Sequence, residues 1–364
     1  MKKVLVLANL DIGLYKFRKE LLQKLIDTNH EVYISLPQGD FIEPLRKMGC
    51  RFISTPIDRR GINPLVDFSL FLRYKKIIQK IQPDLVITYT IKPNIYGGLV
   101  CSKAKIPYVV NITGLGTAFQ NDSIVKKLVV GLYQRACKNV KLVFFENGGN
   151  RDEFLKYKIV EKDKTYVLSG AGVNLSDYPM TEYPKKTEEI NFLFIGRVMK
   201  EKGIDEFFYA AKKIKKKYPK TRFHIVGPFE DDYQTDIEDL ELREIIQYHG
   251  YQKDVKPFLR MCHCFVLPSY HEGMSNTLLE AAAMGRPIIT SRIHGCMEAV
   301  NEKENGFLVK VGNRKELRQT MEDFIALSQE EKEKMARASR KLVEEKFDKR
   351  VVVEETMEQL RVAK

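Results

Sequence analysis

Short apolar runs alternate with longer amphipathic stretches along the first half of the chain. The runs are "KVLVLA", "EVYISL", "RFISTP", "DLVITY", "PYVVNI" and "KLVFFE". Segments such as "LYKFRKELLQKLIDT" separate them and carry apolar residues at helical spacing. Runs of this composition are typical of strands, and their alternation with helices is the β-α-β rhythm of a parallel sheet. The pattern therefore predicts a parallel α/β domain.

This rhythm pauses once and then starts again. The pause is the stretch "SGAGVNLSDYPMTEYPKKTEE", rich in Gly, Pro and charge, and we interpret residues 171–190 as a hinge. The runs "INFLFIGR", "RFHIVG", "IIQYHG", "CFVLPS" and "RPIITS" follow. After Asn313 the chain is highly charged with helical periodicity, and no further strand is predicted there.

The two series of runs predict two domains, which the length of 364 residues also favours. We expect an α/β protein with two Rossmann-like doubly wound domains, residues 1–175 and residues 176–345. Residues 346–364 would form a C-terminal helix that packs on the second domain or crosses back to the first. Such sheets bind ligands at the carboxyl ends of their strands, so the predicted site is a cleft that both domains face.

The composition, with 44% hydrophobic and 30% charged residues, is that of a globular protein. Its net charge of +13 is unevenly distributed, because residues 1–178 hold 28 Lys and Arg against 16 Asp and Glu, whereas the remainder holds 33 against 32. A basic domain beside a neutral one indicates a polyanionic partner, such as anionic lipid headgroups or a lipid diphosphate; general solubility is the alternative. Nucleic acid is disfavoured because no nucleic-acid-binding motif is present.

Three features favour a cytoplasmic protein without a metal site. The apolar run in "MKKVLVLANLDIGLYKF" is too short for a signal peptide and fits a first strand. The six cysteines are interpreted as reduced, buried thiols: Cys50, Cys101, Cys137, Cys262, Cys264 and Cys296. The stretch "CHC" has no second ligand pair at zinc-finger spacing, so no metal is predicted there.

The stretch "HEGMSNTLLEAAAMGRPIIT" has the most specific chemistry. A buried strand leads through a polar loop into an Ala-rich helix that begins near Ser275 or Asn276. Free N–H groups at a helix N-terminus bind phosphate, so this segment is a candidate phosphate site: Gly273, Met274, Ser275, Asn276 and Thr277. Glu280 would accept hydrogen bonds from a ribose attached to this phosphate. Glu272 would lie beside a sugar on the far side of the diphosphate. Taken singly, Glu272 also fits a partner of the helix dipole and Glu280 a surface residue.

A second stretch, "FIGRVMKEKGIDEFFYAA", offers cations for the same ligand. Arg197 and Lys202 lie between a strand that ends at Gly196 and a helix. Guanidinium and ammonium groups there suit a diphosphate, although a solvated charged loop is the alternative. Gly13 after the first strand offers one close backbone approach to a ligand, or is an ordinary turn glycine. The motif G-x-G-x-x-G is missing there, which disfavours a hydride-transfer enzyme.

In combination, "GRVMKEKG" and the two glutamates of "EGMSNTLLE", which have seven residues between them, resemble the retaining glycosyltransferases of family 4, which have the GT-B fold. The resemblance covers almost the whole chain. It implies that Arg197 and Lys202 bind the donor diphosphate, that Glu280 binds the ribose and that Glu272 lies near the transferred sugar. It also implies that Tyr251, in "IIQYHGYQKDVKPFL", contacts the nucleobase.

Four stretches of the first half narrow this resemblance: "DRRGINPL", "IKPNIYGGLVCSKAKIPY", "TGLGTAF" and "FENGGNRDEF". They are similar to bacterial N-acetylgalactosaminyltransferases that act on undecaprenyl-diphosphate-linked sugars, and to related capsule enzymes. The resemblance implies a UDP-sugar donor and an anionic, membrane-embedded acceptor. The stretch "SIVKKLVVGLYQRACKNVK" is then a candidate for contact with an anionic membrane, or else a core helix with a solvated basic edge.

We therefore predict a retaining hexosyltransferase that moves an N-acetylhexosamine or galactose-type sugar from a UDP-sugar to an undecaprenyl-diphosphate-linked saccharide. Its product would enter capsule, exopolysaccharide, O-antigen or glycan assembly. Glu272, Arg197 and Lys202 are the expected catalytic residues, and no metal cofactor is expected. The protein would work in the cytoplasm, peripherally at the inner face of the plasma membrane.

Two other functions remain open. A UDP-sugar 2-epimerase shares the two-domain architecture but needs acid and base side chains for proton transfer, and the arrangement R-x4-K with E-x7-E disfavours it. A non-catalytic protein that binds sugar nucleotides would bind the donor without turnover.

Overall fold

The computed structural model describes residues 2–58, 61, 63–116, 119, 123–185 and 189–362. Parts of "DRRGINPL" and "TGLGTAF" therefore lie outside the described residues. The chain divides into two compact units, residues 1–171 with 349–364, and residues 172–348. The boundaries at 171/172 and 348/349 compare with 175/176 and 345/346 predicted from the sequence.

A seven-stranded parallel sheet forms the centre of the first unit, in the order β3-β2-β1-β4-β5-β6-β7. Its strands are β1 (Lys3–Leu7), β2 (Glu31–Leu36), β3 (Arg51–Ser54), β4 (Leu85–Tyr89), β5 (Tyr108–Ile112), β6 (Leu142–Phe145) and β7 (Thr165–Val167). Its helices are α1 (Asp11–Asp27), α2 (Ile42–Lys47), α3 (Pro64–Ile81), α4 (Gly98–Ala104), α5 (Ile124–Ala136) and α6 (Gly148–Lys156), with a π-helix at Pro93–Gly97 before α4. The strand order reverses between β1 and β4.

Helices cover both faces of this sheet. Side chains of α1 and α2 pack in one core, and those of α3, α4 and α5 pack in another. The C-terminal helix α13 (Lys349–Val362) belongs to the first core, where Val353, Met357 and Leu360 are buried. It lies against α1, and the Lys349 ammonium donates to the Phe17 carbonyl at 3.1 Å. The C-terminal helix is therefore part of the first unit.

The second unit has a six-stranded parallel sheet in the order β10-β9-β8-β11-β12-β13. Its strands are β8 (Ile190–Ile195), β9 (Thr221–Val226), β10 (Gln247–Tyr248), β11 (Cys264–Leu267), β12 (Ile288–Ser291) and β13 (Gly306–Val309). Its helices are α7 (Ile204–Lys217), α8 (Gln234–Leu242), α9 (Lys256–Met261), α10 (Asn276–Ala283), α11 (Arg314–Ala326) and α12 (Gln329–Lys346), with short 3₁₀ turns at Lys200–Lys202 and Met297–Ala299.

Apolar residues at helical spacing explain how α7 packs on this sheet. Ile204, Phe207, Phe208, Ala211 and Ile214 are all buried, whereas the three last-turn lysines complement the negative end of the helix dipole. All eleven runs recognised in the sequence form strands, but β7 and β13 were missed. β7 has only three residues within a charged stretch, which is too short to show a period.

Candidate functional site

The candidate site of the second unit lies where its strand order reverses, between β8 and β11. Residues 196–203 follow β8 and residues 268–275 follow β11, so both loops lie at the carboxyl edge of the sheet on either side of the reversal. Parallel α/β sheets bind ligands at this position because neighbouring loops diverge there and leave a crevice. The sequence-predicted cations and the first predicted glutamate are on these two loops.

Lys202 and Glu272 form a direct ion pair across the reversal. The Lys202 ammonium lies 2.6 Å from one carboxylate oxygen of Glu272, and the Ser269 hydroxyl donates to the same oxygen at 2.8 Å. Both charged side chains are largely buried, with 18% and 10% of their surface exposed. Burial of this kind strengthens the interaction and fixes both groups in one place. The sequence predicted both residues in the site but not their contact.

Several contacts outside the predicted set hold the loop that carries Glu272. The Tyr270 hydroxyl donates to the Glu206 carboxylate at 2.9 Å, and burial followed by this bond raises the pKa of Tyr270 to about 12. The Tyr270 N–H donates to the Glu201 carbonyl at 2.8 Å, which joins the two loops through the main chain. Tyr270 therefore anchors one loop of the site to the other.

Two glycines permit close backbone approaches around this loop. Gly203 has φ +73° and a Cβ on it would lie 2.1 Å from the Pro268 carbonyl oxygen. Gly295 has φ +87° and a Cβ there would lie 2.5 Å from the Gly273 carbonyl oxygen. Only glycine avoids both the strained backbone and the overlap. The positions of Glu272 and of the following helix thus depend on these two residues.

The amino end of α10 has the properties of an anion site. Ser275 is its N-cap, and among the described residues no side chain caps the helix, while the Ser275 N–H itself donates to the Gly295 carbonyl at 2.9 Å. The first N–H groups of a helix have no partner within the helix, and the dipole is positive there. The Asn276 side-chain oxygen is also buried without a hydrogen-bond partner among the described residues. A phosphate group would accept hydrogen bonds from the free N–H groups, whereas the Asn276 oxygen is an acceptor and needs a donor such as a hydroxyl group.

Arg197 lies on the neighbouring side of the same edge. Its guanidinium is 3.3 Å from the Glu230 carboxylate and is 44% exposed. Gly227 allows the loops after β8 and β9 to touch, since a Cβ on it would lie 1.8 Å from the Gly196 carbonyl oxygen. Tyr251 follows β10 and is 51% exposed, and the Gly227 N–H donates to the Gly250 carbonyl at 2.8 Å. The loops that carry Arg197 and Tyr251 therefore lie on either side of the loop after β9, and both contact it.

Glu280 has a partner that the sequence did not suggest. The Tyr178 hydroxyl hydrogen-bonds to the Glu280 carboxylate, and burial followed by the charge of Glu280 raises the pKa of Tyr178. Tyr178 lies in the stretch that was interpreted as a hinge, and the structure makes it part of the second unit. No local sequence pattern indicates this contact, because Tyr178 and Glu280 are about a hundred positions apart.

Gly13 is the one predicted donor-binding residue outside the second unit. It lies in the first turn of α1 rather than in a loop, and a Cβ on it would meet only the Leu10 Cβ at 4.0 Å. The helix therefore tolerates a side chain at this position. Its proposed role as a close backbone approach remains a prediction.

The described part of the chain also bears on the state of the cysteines, on metal ligands and on membrane-spanning helices. All six cysteines are free and buried. In residues 2–58, 61, 63–116, 119, 123–185 and 189–362, no three His, Cys, Asp or Glu side chains are grouped so as to hold a metal ion. No helix described by the structure combines the length and apolarity required to cross a bilayer.

Comparison with known proteins identifies both units. Residues 180–342 match the family of glycosyl transferases group 1, and residues 3–147 match the glycosyl transferase 4-like family. The chain therefore belongs to the glycosyltransferases, with one family domain in each unit, and it is a hexosyltransferase. This confirms the family and the activity that the loop motifs predicted.

Two relatives have names that state their reactions. The N,N'-diacetylbacillosaminyl-diphospho-undecaprenol alpha-1,3-N-acetylgalactosaminyltransferase of Campylobacter jejuni is 28% identical over 327 residues, which is 85% of this chain and 86% of the relative. The UDP-Gal:alpha-D-GlcNAc-diphosphoundecaprenol alpha-1,3-galactosyltransferase of Escherichia coli is 28% identical over 272 residues, 70% of this chain and 69% of the relative.

Solved structures confirm the fold. A glycosyltransferase from Rickettsia africae is similar with a TM-score of 0.81 at 20% identity, covering 100% of this chain and 98% of that one. Anabaena Alr3699/HepE in complex with UDP and glucose has a TM-score of 0.81 at 17% identity, covering 100% of both chains. The two parallel α/β units are thus those of the GT-B fold, as the sequence predicted.

Proposed function

We propose that this enzyme transfers an N-acetylhexosamine or galactose-type sugar from a UDP-sugar to an undecaprenyl-diphosphate-linked saccharide with retention of configuration. The observation that carries the proposal is the ion pair of Lys202 and Glu272, 2.6 Å apart, beside the uncapped amino end of α10. It combines a cation and N–H donors for a diphosphate with a carboxylate for the adjoining sugar. The relatives from Campylobacter jejuni and Escherichia coli use diphospho-undecaprenol acceptors and form alpha linkages.

In this proposal the donor diphosphate is bound by Arg197, Lys202 and the first N–H groups of α10. Binding of the diphosphate at Lys202 weakens its pairing with Glu272, and Glu272 then contacts the sugar or the positive charge that develops at its anomeric carbon. Glu280 accepts hydrogen bonds from the ribose hydroxyls, with Tyr178 orienting its carboxylate. Tyr251 contacts the base.

The transfer step needs no reagent besides the UDP-sugar donor and the acceptor hydroxyl. The bond between the anomeric carbon and the β-phosphate oxygen breaks, and the acceptor hydroxyl oxygen forms a bond to the same carbon on the same face. The departing phosphate oxygen takes the hydroxyl proton, so UDP leaves and the linkage is retained. Arg197, Lys202 and the helix N-terminus stabilise the negative charge of the leaving group, a role for which fixed cations and dipoles suffice. Transfer is therefore expected to be unchanged by a metal chelator.

Because its proposed acceptor is anchored in a membrane, we expect the enzyme to work at the cytoplasmic face of that membrane. An undecaprenyl chain remains in the bilayer, and its diphosphate is anionic, so the first unit with its basic surface is the expected acceptor side. Peripheral contact with anionic lipid is consistent with a net charge of +14 in this unit, from 32 Lys and Arg against 18 Asp and Glu in residues 1–171 and 349–364.

Product analysis tests the proposal directly. The enzyme is incubated with a panel of UDP-sugars and a synthetic undecaprenyl-diphosphate-linked saccharide, and the product mass and anomeric configuration are determined. We expect one added hexose in the configuration of the donor. An inverted linkage contradicts the mechanism, and a UDP-sugar altered at C2 without any acceptor establishes the epimerase instead.

The variant Glu272→Gln separates an enzyme from a binding protein. The amide keeps the size of the side chain but removes the negative charge, so UDP binding measured by calorimetry is expected to persist while transfer falls by about 10²-fold or more. The exposed Glu238 on α8 supplies a control, Glu238→Gln, with expected transfer near that of the unaltered enzyme. Full binding with no transfer in the unaltered protein, for every donor and acceptor, establishes the non-catalytic alternative.

A further inference from the structure

Large hydrophobic side chains are exposed on two neighbouring helices of the first unit. Leu65 is 80% exposed and Phe68 is 59% exposed on α3, and Ile124 is 87% exposed and Leu128 is 61% exposed on α5. We name the full set the apolar helix ends: Leu65, Val66, Phe68, Leu72, Ile124, Val125 and Leu128. Such a group of exposed apolar residues marks a surface that another phase or partner covers.

Each of the two helices has a buried apolar face and, near its amino end, a second apolar face that is exposed. In α3 the buried face has Leu70, Tyr74 and Ile78, whereas the outer face has Leu65, Phe68 and Leu72 at spacings of three and four. The outer face then continues with the exposed Lys75 and Lys76.

The same order occurs in α5. Val130 and Tyr133 are buried, Ile124 and Leu128 are exposed in the first turns, and the exposed Arg135 follows in the last turn. The outer face of both helices therefore changes from apolar to basic along its length.

The two apolar ends lie on the same side of the first unit and at the same edge of its sheet. Both α3 and α5 contact α4 and the π-helix Pro93–Gly97, so the three helices lie side by side. Each helix leads from the carboxyl end of one parallel strand toward the amino end of the next, so the amino ends of α3 and α5 are at the carboxyl edge. This is the edge at which such sheets bind ligands.

The carboxylate among the apolar helix ends is turned away from solvent. Asp67 lies between Val66 and Phe68, but its side chain is 14% exposed and accepts from the Lys92 ammonium at 2.6 Å and from the Tyr96 hydroxyl at 3.0 Å. Its charge is thus compensated within the protein. No acidic residue occurs in α5.

Charge differs strongly between the two helical layers of this unit. In the layer that exposes the apolar residues, α3, α4 and α5 hold eight Lys and Arg and one Asp. On the opposite layer α1, α2 and α13 hold nine Lys and Arg and seven Asp and Glu. The layer with the exposed apolar residues therefore also holds most of the excess positive charge.

We propose that the apolar helix ends insert into the interfacial region of an anionic lipid bilayer, with the basic parts of α3, α4 and α5 at the lipid headgroups. Apolar side chains beside cations are the combination that binds such a surface. A second copy of the chain would bring an equally basic layer, and two such layers repel. The inference rests on the proposed function in so far as a lipid-linked acceptor brings the enzyme to a membrane.

The chain contains no tryptophan, which makes a direct insertion assay possible. The variants Phe68→Trp and Leu128→Trp each introduce a single reporter in the full-length enzyme. With vesicles that contain phosphatidylglycerol, their emission is expected to shift to shorter wavelength and to be quenched by brominated acyl chains. Leu242→Trp is the matched control, because Leu242 is 86% exposed on α8 of the second unit, and its emission is expected to stay unchanged.

An affinity measurement completes the test. The double variant Leu65→Gln with Leu128→Gln is expected to bind these vesicles at least tenfold more weakly in flotation, whereas Leu242→Gln binds as the unaltered enzyme does. Vesicles of phosphatidylcholine alone are expected to bind at least tenfold more weakly than anionic ones. Circular dichroism verifies that each variant is folded.

Three results overturn the inference: no emission shift at either reporter, equal shifts at Leu242→Trp, or self-association that the double variant abolishes without any vesicle binding by the unaltered enzyme. Transfer to a water-soluble, short-chain acceptor distinguishes this failure from failure of the proposed function. The double variant is expected to keep that transfer and to lose transfer to an acceptor embedded in vesicles. Vesicle binding without transfer to either acceptor contradicts the proposed function and leaves the membrane surface supported.

Discussion

The two units use charge in different ways, although both are parallel α/β sheets covered by helices. The first unit holds 32 Lys and Arg against 18 Asp and Glu, whereas the second, residues 172–348, holds 29 against 30. In the second unit the important charges are paired and partly buried at one edge of the sheet, as in Lys202 with Glu272. In the first unit an excess of cations covers one helical layer.

The difference shows that net charge alone does not locate a binding site. A neutral unit concentrates charge where a few buried groups meet a small ligand, because burial makes each interaction strong and specific. A basic unit spreads its charge over a surface, where the summed potential attracts an extended anionic partner and is weakened by salt. The following predictions test this division, from the largest expected effect to the smallest.

The strongest test removes the cation of the second unit's site. Lys202→Met leaves Glu272 without its ion-pair partner and removes a donor to the leaving diphosphate. Transfer is expected to fall by about 10² to 10³-fold, since a single group that stabilises the developing charge has an effect of this size. Initial rates with saturating acceptor measure it.

The exposed Lys216 in the last turn of α7 supplies the matched variant, Lys216→Met, with the same change of net charge. Its rate is expected to equal that of the unaltered enzyme. If both variants lose activity equally, the second unit depends on overall charge as the first unit does, and the comparison fails.

A second test concerns the stability of the second unit. Arg286 is fully buried, and its guanidinium donates to the carbonyls of Leu259, Glu182 and Arg260 and to the Thr181 hydroxyl. Arg286→Met leaves these acceptors unpaired, and we expect the free energy of unfolding of this unit to fall by about 3 to 5 kcal/mol. Hydrogen exchange measured by mass spectrometry reports each unit separately.

Faster exchange is expected across residues 172–348 only. Arg222→Met, at a side chain that is 39% exposed, is the control and is expected to leave exchange nearly unchanged. Equal acceleration of hydrogen exchange in both units would show that Arg286 stabilises the first unit as well as the second.

A third test uses two glycines of the second unit with similar backbone angles. Gly295→Ala introduces a Cβ that overlaps the Gly273 carbonyl oxygen, whereas Gly250, at φ +63°, has no heavy atom within 4 Å of a Cβ. Both variants have the cost of a left-handed alanine, roughly 1 kcal/mol, but only Gly295→Ala moves the loop of Glu272. Transfer is expected to fall about tenfold in Gly295→Ala, since small displacements of catalytic groups have effects of this order or larger.

Gly250→Ala is expected to change thermal stability by a similar amount while its turnover number stays close to that of the unaltered enzyme. A loss of turnover in Gly250→Ala that equals the loss in Gly295→Ala would mean that backbone strain alone explains the effect. Rates and melting temperatures of both variants decide between these outcomes.

The smallest expected effect is a difference in acid sensitivity. Burial lowers the pKa of His224 and of His263 to about 4, from an ordinary value of 6.5. The His263 ring nitrogen Nδ1 accepts from the Asn191 N–H at 3.0 Å, so protonation would also break this bond. Because the folded pKa is lowered, the stabilisation is complete above pH 6.5 and is lost as the pH falls toward 4.

Acidification from pH 7 to pH 5 should therefore accelerate hydrogen exchange, after correction for the intrinsic rate, more in the second unit than in the first. The double variant His224→Asn with His263→Asn is expected to lose most of this pH dependence. A dependence that survives in the double variant assigns the effect to other groups.

Much of the second unit's site was predictable because its signals are local. Glu272 precedes one helix and Glu280 lies within it, and Arg197 and Lys202 follow one strand, so spacing within a short stretch sufficed to select them. The strands that precede both loops were predicted as well. The family that these stretches predicted was confirmed by the matches over residues 3–147 and 180–342, whereas the individual roles of these residues stay predictions.

Contacts between distant positions were not predictable. Three contacts join stretches with no regular spacing between them along the chain. They are Tyr178 with Glu280, Tyr270 with Glu206, and Gly295 with Gly273. The two missed strands have the same cause, because β7 and β13 are recognised by their neighbours in the sheet rather than by their own length. Gly13 likewise shows its helical position only in the structure.

By itself, the sequence determined the alternation of strands and helices, the two loops that carry the charged motifs, and the concentration of positive charge in the first half. These properties depend on residues that are close along the chain. The tertiary structure alone decided that Lys202 meets Glu272, that α13 belongs to the first unit, and that α3 and α5 expose their apolar ends on one basic layer. The order of strands in a sheet decides which distant residues become neighbours. Burial decides which apolar side chains stay exposed and can contact another surface.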